Sequence, residues 1–256
     1  MKKLPEPNHG FNLEAPSYEE VTRIVRKIRS SGSPCPIDHE SIIVFKKCPV
    51  LRTQLRRILR KCWNEGSVPT IWKKGITVLA HKKGPANQPE NFRPITLEPV
   101  LLKVFTALIR NRLFEFVSKN SFIESDIQKG FWSNISGSVE HLETLTNIMR
   151  HSKRKQRQLV VTLLDLKNAF GEVHHNLLPS VLRYHHVPDA CIELISELYK
   201  DFSVSIASND FVTMPIPVER GVLQGDSLSP LLFNLCVNTL INTIKDEKGG
   251  LYGIRL

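Results

Sequence analysis

The run Leu159-Val-Val-Thr-Leu-Leu-Asp-Leu166 constrains the fold more than any other part of the chain. It is apolar and β-branched without polar alternation, the pattern of a strand covered on both faces. Such a strand predicts a central place in a sheet flanked by helices, and so an α/β (α+β) chain. The run carries a carboxylate, Asp165, at its end. Burying an unpaired charge there is costly. Two explanations stand side by side: Asp165 caps the following turn, or it holds a divalent cation, since Mg2+ takes one or two carboxylates together with substrate phosphates.

The neighbouring patterns supply the helices and strands such a sheet needs. Residues 1–16 read as an arm. Ser17 reads as an N-cap, with Glu20 completing a capping box ahead of Val21, Ile24, Val25 and Ile28. Val50 to Trp63 reads as a helix with Leu51, Leu55, Ile58, Leu59 and Cys62 on its apolar stripe and Arg52, Arg56, Arg57, Arg60 and Lys61 mainly on a basic, solvated face. ITVLA and NFRPITL read as strands, and Pro99 to Val117 as a long helix burying Leu102, Phe105, Ile109, Leu113 and Phe116. Glu140 to Arg150 is expected to be helical, and the basic run Arg150 to Arg157 a loop. Helices are expected over Asn176 to Tyr184, Asp189 to Tyr199 and about Ser227 to Lys245, with strands over Ser203 to Ala207 and Phe211 to Val218.

Composition narrows the partners. The chain of 256 residues carries 35 Lys plus Arg against 25 Asp plus Glu, a net charge of +10, which favours polyanions, nucleic acid first. Its five cysteines are odd in number and form no CxxC pair, so neither a disulfide framework nor a zinc site is indicated, and a reducing intracellular setting is expected. The N-terminal residues lack the apolar core of a signal peptide. No apolar run reaches the roughly 18 residues of a membrane span, so no membrane partner is expected; LLFNLCVNTLI is too short and contains two Asn.

Two further segments carry candidate chemistry. Arg220 to Pro230, RGVLQGDSLSP, is a glycine-kinked loop opening an apolar helix, with Pro230 near the first turn and Asp226 placed to cap it. Upstream lies HKKG, followed by NFRPITL. The adjacent His174 and His175 invite a metal reading, but neighbouring residues project in different directions on a strand or helix.

In their order and separation, these segments resemble reverse transcriptases of the non-LTR (LINE-type) retrotransposons. LDLKNAF is similar to that family's motif A, RGVLQGDSLSP to motif B, and HKKG with NFRPITL to its fingers motifs. The resemblance reaches back to about Ser31, where Pro34-Cys-Pro-Ile-Asp38 departs from the Pro-Gly-Pro-Asp-Gly pattern of many relatives; the reverse transcriptase-like region covers about 62–256. It implies a right-hand polymerase architecture with an N-terminal arm and helix (1–30), a fingers-like region (31–158) and a partial palm with an antiparallel sheet (159–256), the thumb absent.

The resemblance also implies RNA-directed DNA synthesis by two-metal nucleotidyl transfer with Mg2+, an RNA template, a DNA primer and deoxynucleoside triphosphates. Asp165 would be the catalytic carboxylate and a ligand of both metals, with the backbone carbonyl of Leu166 as a further ligand. Lys82 or Lys83, with Arg93, would bind the triphosphate. Phe170 would be the steric gate against a ribose 2′-hydroxyl, which argues against an RNA-dependent RNA polymerase. Gln224 and Gly225 would contact the incoming nucleotide and its template base. The family's third motif, an aromatic residue leading into paired aspartates, has no counterpart: no Asp-Asp pair occurs in the chain, and GLYGIRL resembles only the approach to it. A fragment inactive by itself is therefore expected. The alternative is a non-catalytic nucleic-acid-binding remnant, or a product of a decaying element without function.

Overall fold

The computed structural model describes residues 3–30, 36–130, 137–208 and 210–248, without the side chains of residues 138 and 246–248. In chain order its elements are α1 (Tyr18–Lys27), α2 (Ile42–Lys47), α3 (Pro49–Glu65), β1 (Lys74–His81), β2 (Phe92–Leu97), α4 (Val100–Lys119), α5 (Gly137–Arg154), α6 (Leu177–Tyr184), α7 (Asp189–Tyr199), β3 (Ser203–Ala207), β4 (Ile216–Pro217) and α8 (Ser229–Lys248). The segment GLYGIRL and most of the SSGSPCP stretch lie outside the described residues.

Apolar spacing accounts for most of these elements. On α4, Leu102, Phe105, Ile109, Leu113 and Phe116 are all buried, as their spacing predicts. Each such side chain contributes about 2 kcal/mol by leaving water. The start of α4 is held from a distance. Pro99 at its N-cap has no capping side chain, and Asp38 accepts a 2.7 Å hydrogen bond from the Val100 N–H instead. Asp38 belongs to the segment that departs from the family pattern, so its carboxylate has a structural role here.

Among the described residues the strands form one sheet in the order β2-β1-β3-β4. β1 and β2 are antiparallel, with Ile76 opposite Leu97 and His81 opposite Phe92. β1 and β3 are parallel, with Lys74 opposite Ser203, and β3 and β4 are antiparallel. The expected antiparallel palm sheet is thus corrected to a mixed one. The chain between β1 and β3 carries α4 to α7, ample for the crossover that a parallel pair requires.

The largest correction concerns Leu159–Leu166. It belongs to no strand, and Val160, Leu163 and Leu164 are 89%, 84% and 83% exposed. A strand exists only as a pairing, and none of β1 to β4 runs beside this segment. The apolar run records a demand for cover; it does not supply the neighbour.

Other differences are local. Ser17 caps α1 by accepting from the Glu20 N–H at 3.1 Å, but the Glu20 carboxylate is held by Arg112 and does not complete the capping box. Arg52 is buried rather than solvated, because it donates to the carbonyls of Phe45 and Lys46 at 3.0 and 2.8 Å, closing the end of α2. The basic run is helical as far as Arg154, so only its last three residues, Lys155 to Arg157, lie outside the helix.

Arg112 joins the N-terminal arm to the core. Its guanidinium makes a forked contact to Glu20 (2.8 and 2.6 Å), donates to the carbonyls of Asn12 and Glu14, and lies 4.5 Å over the Trp63 ring. On α8, Asn234 donates to the Gly130 carbonyl and Asn238 to that of Phe122. His185 is buried beside Asn238, and burial lowers its pKa to about 4 from 6.5. The two Asn that interrupt the apolar run of α8 therefore hold the 122–130 segment in place.

Removing Arg112 strands the Glu20 carboxylate and two carbonyls, so Arg112→Ala is expected to lower stability by about 3 kcal/mol in urea titration. Because Lys lacks the planar fork, Arg112→Lys is expected to recover less than half of that loss. His185 is depressed in the folded state, so its contribution is complete above pH 6.5 and is lost as pH falls toward about 4. His185→Gln is expected to flatten the stability profile in that window.

Candidate active site

The candidate residues come from three separate stretches, and backbone contacts bring parts of all three together. The first junction joins residues 170–175 to 220–222. The Val222 N–H donates to the Phe170 carbonyl (2.8 Å) and the Gly221 N–H to that of Val173 (2.7 Å), and His174 bridges Arg220. His175 Nε2 donates to the Gly221 carbonyl at 2.9 Å, its ring packs against Tyr199, and Arg220 pairs with Glu172 at 3.3 Å. Gly221 has φ +92°, and a Cβ there would lie 2.9 Å from the Gly171 Cα. Only glycine permits both that conformation and that approach.

The second junction joins the Gln224-Gly225 turn to β2. The Thr96 N–H donates to the Gln224 carbonyl at 2.7 Å. Gly225 has φ +127°, and a Cβ there would fall 2.4 Å from the Thr96 carbonyl oxygen. Directly after the turn, Asp226 Oδ2 accepts from the Leu228 N–H at 3.2 Å, just ahead of α8. That is the capping position the sequence suggests for it.

The individual candidates fall as follows. Asp165 and Leu166 are exposed, so the burial argument for a metal at Asp165 does not apply in this arrangement. The turn after them passes through Asn168 in the left-handed region (φ 51°) and into a short 3-10 turn, Ala169–Glu172. Phe170 is half-buried and stacks on Phe233 of α8, ring centroids 4.9 Å apart at 14°. Arg93 sits opposite Ala80 in the β1–β2 ladder, and the Lys82 N–H donates to the Asn91 carbonyl at 2.8 Å. Lys82, Lys83 and Arg93 are therefore exposed together at the far end of one hairpin. Gln224 is half-buried and Gly225 exposed.

Among the described residues no three His, Cys, Asp or Glu side chains are grouped to hold a metal ion. The exposed Asp165 carboxylate and the Leu166 carbonyl offer oxygen donors only, a set that fits Mg2+ completed by substrate phosphates and does not fit zinc. Of the adjacent histidines, His174 meets Arg220 through a backbone bridge, and the His175 ring is engaged by the Gly221 carbonyl.

Three positions were not singled out by sequence reasoning: Thr96, Glu98 and Tyr199. Glu98 is 1% exposed, and burial, with Asp226 second, raises its pKa well above the ordinary carboxylate value. The available signal was an acid set between TL and PVLL, directly ahead of an apolar helix.

Comparison with known proteins bears on the same segments. The family model for reverse transcriptase (RNA-dependent DNA polymerase) matches residues 80–254, spanning both junctions. The chain belongs to the reverse transcriptase family. It is 28% identical over 188 residues, 73% of its length, to the Pol polyprotein of the type-2 retrotransposable element R2DM of Drosophila melanogaster. It is also 28% identical over 247 residues, 94% of its length, to the Pol polyprotein of a type-1 element R2 of Nasonia vitripennis. Identity to the RNA-directed DNA polymerase of the mobile element jockey of Drosophila melanogaster is 25% over 229 residues, 87% of the chain. These relatives are proteins of non-LTR elements, in keeping with the sequence resemblance. The chain spans 17%, 22% and 24% of their respective lengths. Reverse transcriptases generally use divalent metal ions and act on nucleic acid and nucleotides. No helix among the described residues is long and apolar enough to cross a membrane.

Both junction glycines are expected to be intolerant. Gly221→Ala and Gly225→Ala should each cost about 2 kcal/mol or more in chemical denaturation, since each adds backbone strain to a steric clash. Gly10→Ala, with open space around its Cβ position, is expected to be near neutral.

Proposed function

We propose that this region is part of a reverse transcriptase that copies RNA into DNA by metal-assisted nucleotidyl transfer, with the Gln224-Gly225 turn as the floor of the nucleotide site. The observation that carries the reading is the pair of junctions that ties this turn to β2 and residues 220–222 to residues 170–175. The fingers-like residues (31–158) and the partial palm (159–256) are proposed as the two parts of a right-hand polymerase, meeting in the mixed sheet.

Each residue has a role that follows from its chemistry. Arg93 offers a planar fork for triphosphate oxygens, and Lys82 or Lys83 a point charge beside it. The Phe170 ring, which stacks on Phe233, would bar a 2′-hydroxyl and so select a deoxyribose. Gln224 and the exposed Gly225 backbone contact the incoming base pair. Asp165 and the Leu166 carbonyl would hold Mg2+, which when bound activates a primer 3′-hydroxyl and stabilises the leaving pyrophosphate. The exposed Arg150, Lys153, Arg154, Lys155 and Arg157 would contact the phosphates of an RNA template paired to a DNA primer, recognised through its backbone and shape.

The 256 residues contain no Asp-Asp pair. One carboxylate does not fix two cations in register, so we propose that this chain alone binds an RNA–DNA hybrid without extending it. That exposed basic run also favours the second reading, a nucleic-acid-binding remnant. In primer extension with Mg2+ and deoxynucleotides, no incorporation is expected. Robust synthesis abolished by Asp165→Asn would overturn the proposal of inactivity while supporting the assignment of Asp165. Hybrid binding is expected to weaken steeply with salt, and replacing Lys153, Arg154 and Lys155 by Glu to reduce it at least about tenfold. Unchanged affinity and salt slope in that variant would remove the basic run from the interface.

A further inference from the structure

Beneath the Gln224-Gly225 turn lie two buried acids. Glu98 follows β2 two residues after Thr96, and Asp226 directly follows Gly225. Glu98 is 1% and Asp226 8% exposed. Each has one carboxyl oxygen, Glu98 Oε2 and Asp226 Oδ1, buried without a hydrogen-bond partner among the described residues. The other Asp226 oxygen is engaged at the start of α8, by the Leu228 N–H at 3.2 Å and the Ser229 hydroxyl at 3.5 Å. The Thr106 hydroxyl and the N–H groups of Ser227, Leu228 and Ser229 favour the Asp226 carboxylate, whereas only the charge of Lys103 favours that of Glu98. Two like charges buried this deeply repel, and one proton held by Glu98 toward Asp226 converts the repulsion into a hydrogen bond.

We propose that Glu98 is a positioning residue: it and Asp226 hold a single proton between them, and that proton keeps the Gln224-Gly225 turn seated on Thr96. The surroundings agree with this reading. Burial raises the pKa of both acids, and each lies close enough to Tyr199 to push that phenol upward as well. Lys103 on α4 acts in the opposite direction, and it lowers Glu98 less than burial and Asp226 raise it. Cys236 of α8 also faces Tyr199, and its own thiol is pushed up to about 11, so it supplies no charge near neutrality.

The pH dependence has a definite sign. Glu98 is raised in the folded state from an ordinary value of 4.5. Its contribution is therefore complete below about 4.5 and is lost as pH rises toward the folded-state pKa, by up to tenfold in the opening equilibrium per pH unit. Losing the proton leaves two charges under the turn and unseats it.

The turn has a direct reporter, the Thr96 amide that donates to the Gln224 carbonyl. Its hydrogen-exchange protection factor, corrected for intrinsic exchange, is to be followed from pH 5 to 9 in the unmodified chain, Glu98→Gln and Asp226→Asn. Protection is expected to fall with pH in the unmodified chain. Glu98→Gln keeps a donor toward Asp226 without a titrating proton, so its protection should stay within about twofold across the range. Asp226→Asn keeps the acceptor at α8 and should flatten the profile likewise. His185 is common to all three proteins and drops out of the comparison. An equal fall in Glu98→Gln would overturn the proposal.

Should the variants fail to fold, carboxyl carbon NMR of the unmodified chain decides. One proton retained by the pair above the ordinary carboxylate range supports the shared proton, and ionisation of both acids within that range overturns it. The experiment contains no nucleotide and no synthesis, so its failure would leave the polymerase reading untouched.

Discussion

The approach of the Gly225 backbone to Thr96 is the contact on which the site depends. With a Cβ position only 2.4 Å from a carbonyl oxygen, the turn lies against β2 without an intervening side chain. That fixes the Gln224 carbonyl for the Thr96 N–H, sets Asp226 at the start of α8, and buries Glu98 below. The approach of Gly221 to Gly171, with a Cβ position 2.9 Å from the Gly171 Cα, carries the effect onward to Phe170. Two glycines thus connect stretches some 50 to 130 residues apart in sequence, through hydrogen bonds rather than through a shared strand ladder.

Away from the site, joints between elements are made by polar groups, most of them buried. Asp38 closes the first turn of α4, Arg52 the end of α2, and Arg112 the arm. Asn234 and Asn238 hold the 122–130 segment to α8. Each satisfies backbone groups that no helix or strand would otherwise serve, which is how irregular chain is buried without leaving polar groups unpaired.

The helices were legible because their signal is internal. The stripes on α1 and α4 state which face is buried, and the described residues follow them, while on α3 Leu55, Leu59 and Cys62 are buried but Leu51 and Ile58 stand exposed. The motifs were legible as strings, and the family match over residues 80–254 covers motif A, motif B and the fingers motifs HKKG and NFRPITL. What failed depended on partners. Leu159–Leu166 reads as a strand from its own side chains, yet strand formation belongs to a pair. Arg52 reads as solvated from its position in a basic series, yet two carbonyls at the end of α2 recruit it. Glu98 passes unnoticed because nothing local marks its neighbour 128 residues later. The Glu20–Arg112 contact likewise replaces a local capping interaction with a distant one.

The central claim is that the fingers hairpin, the Asp165–Phe170 segment and the Gln224-Gly225 turn form one nucleotide site. A hydrogen-exchange footprint of the chain with an RNA–DNA hybrid, Mg2+ and a deoxynucleoside triphosphate addresses this most directly. Simultaneous protection around Lys82 to Arg93, Asp165 to Phe170 and Gln224 to Gly225, stronger with a deoxynucleotide than with a ribonucleotide, is the result expected. Protection confined to Arg150–Arg157, with the three segments unchanged, would contradict it and leave nucleic-acid binding without a nucleotide site.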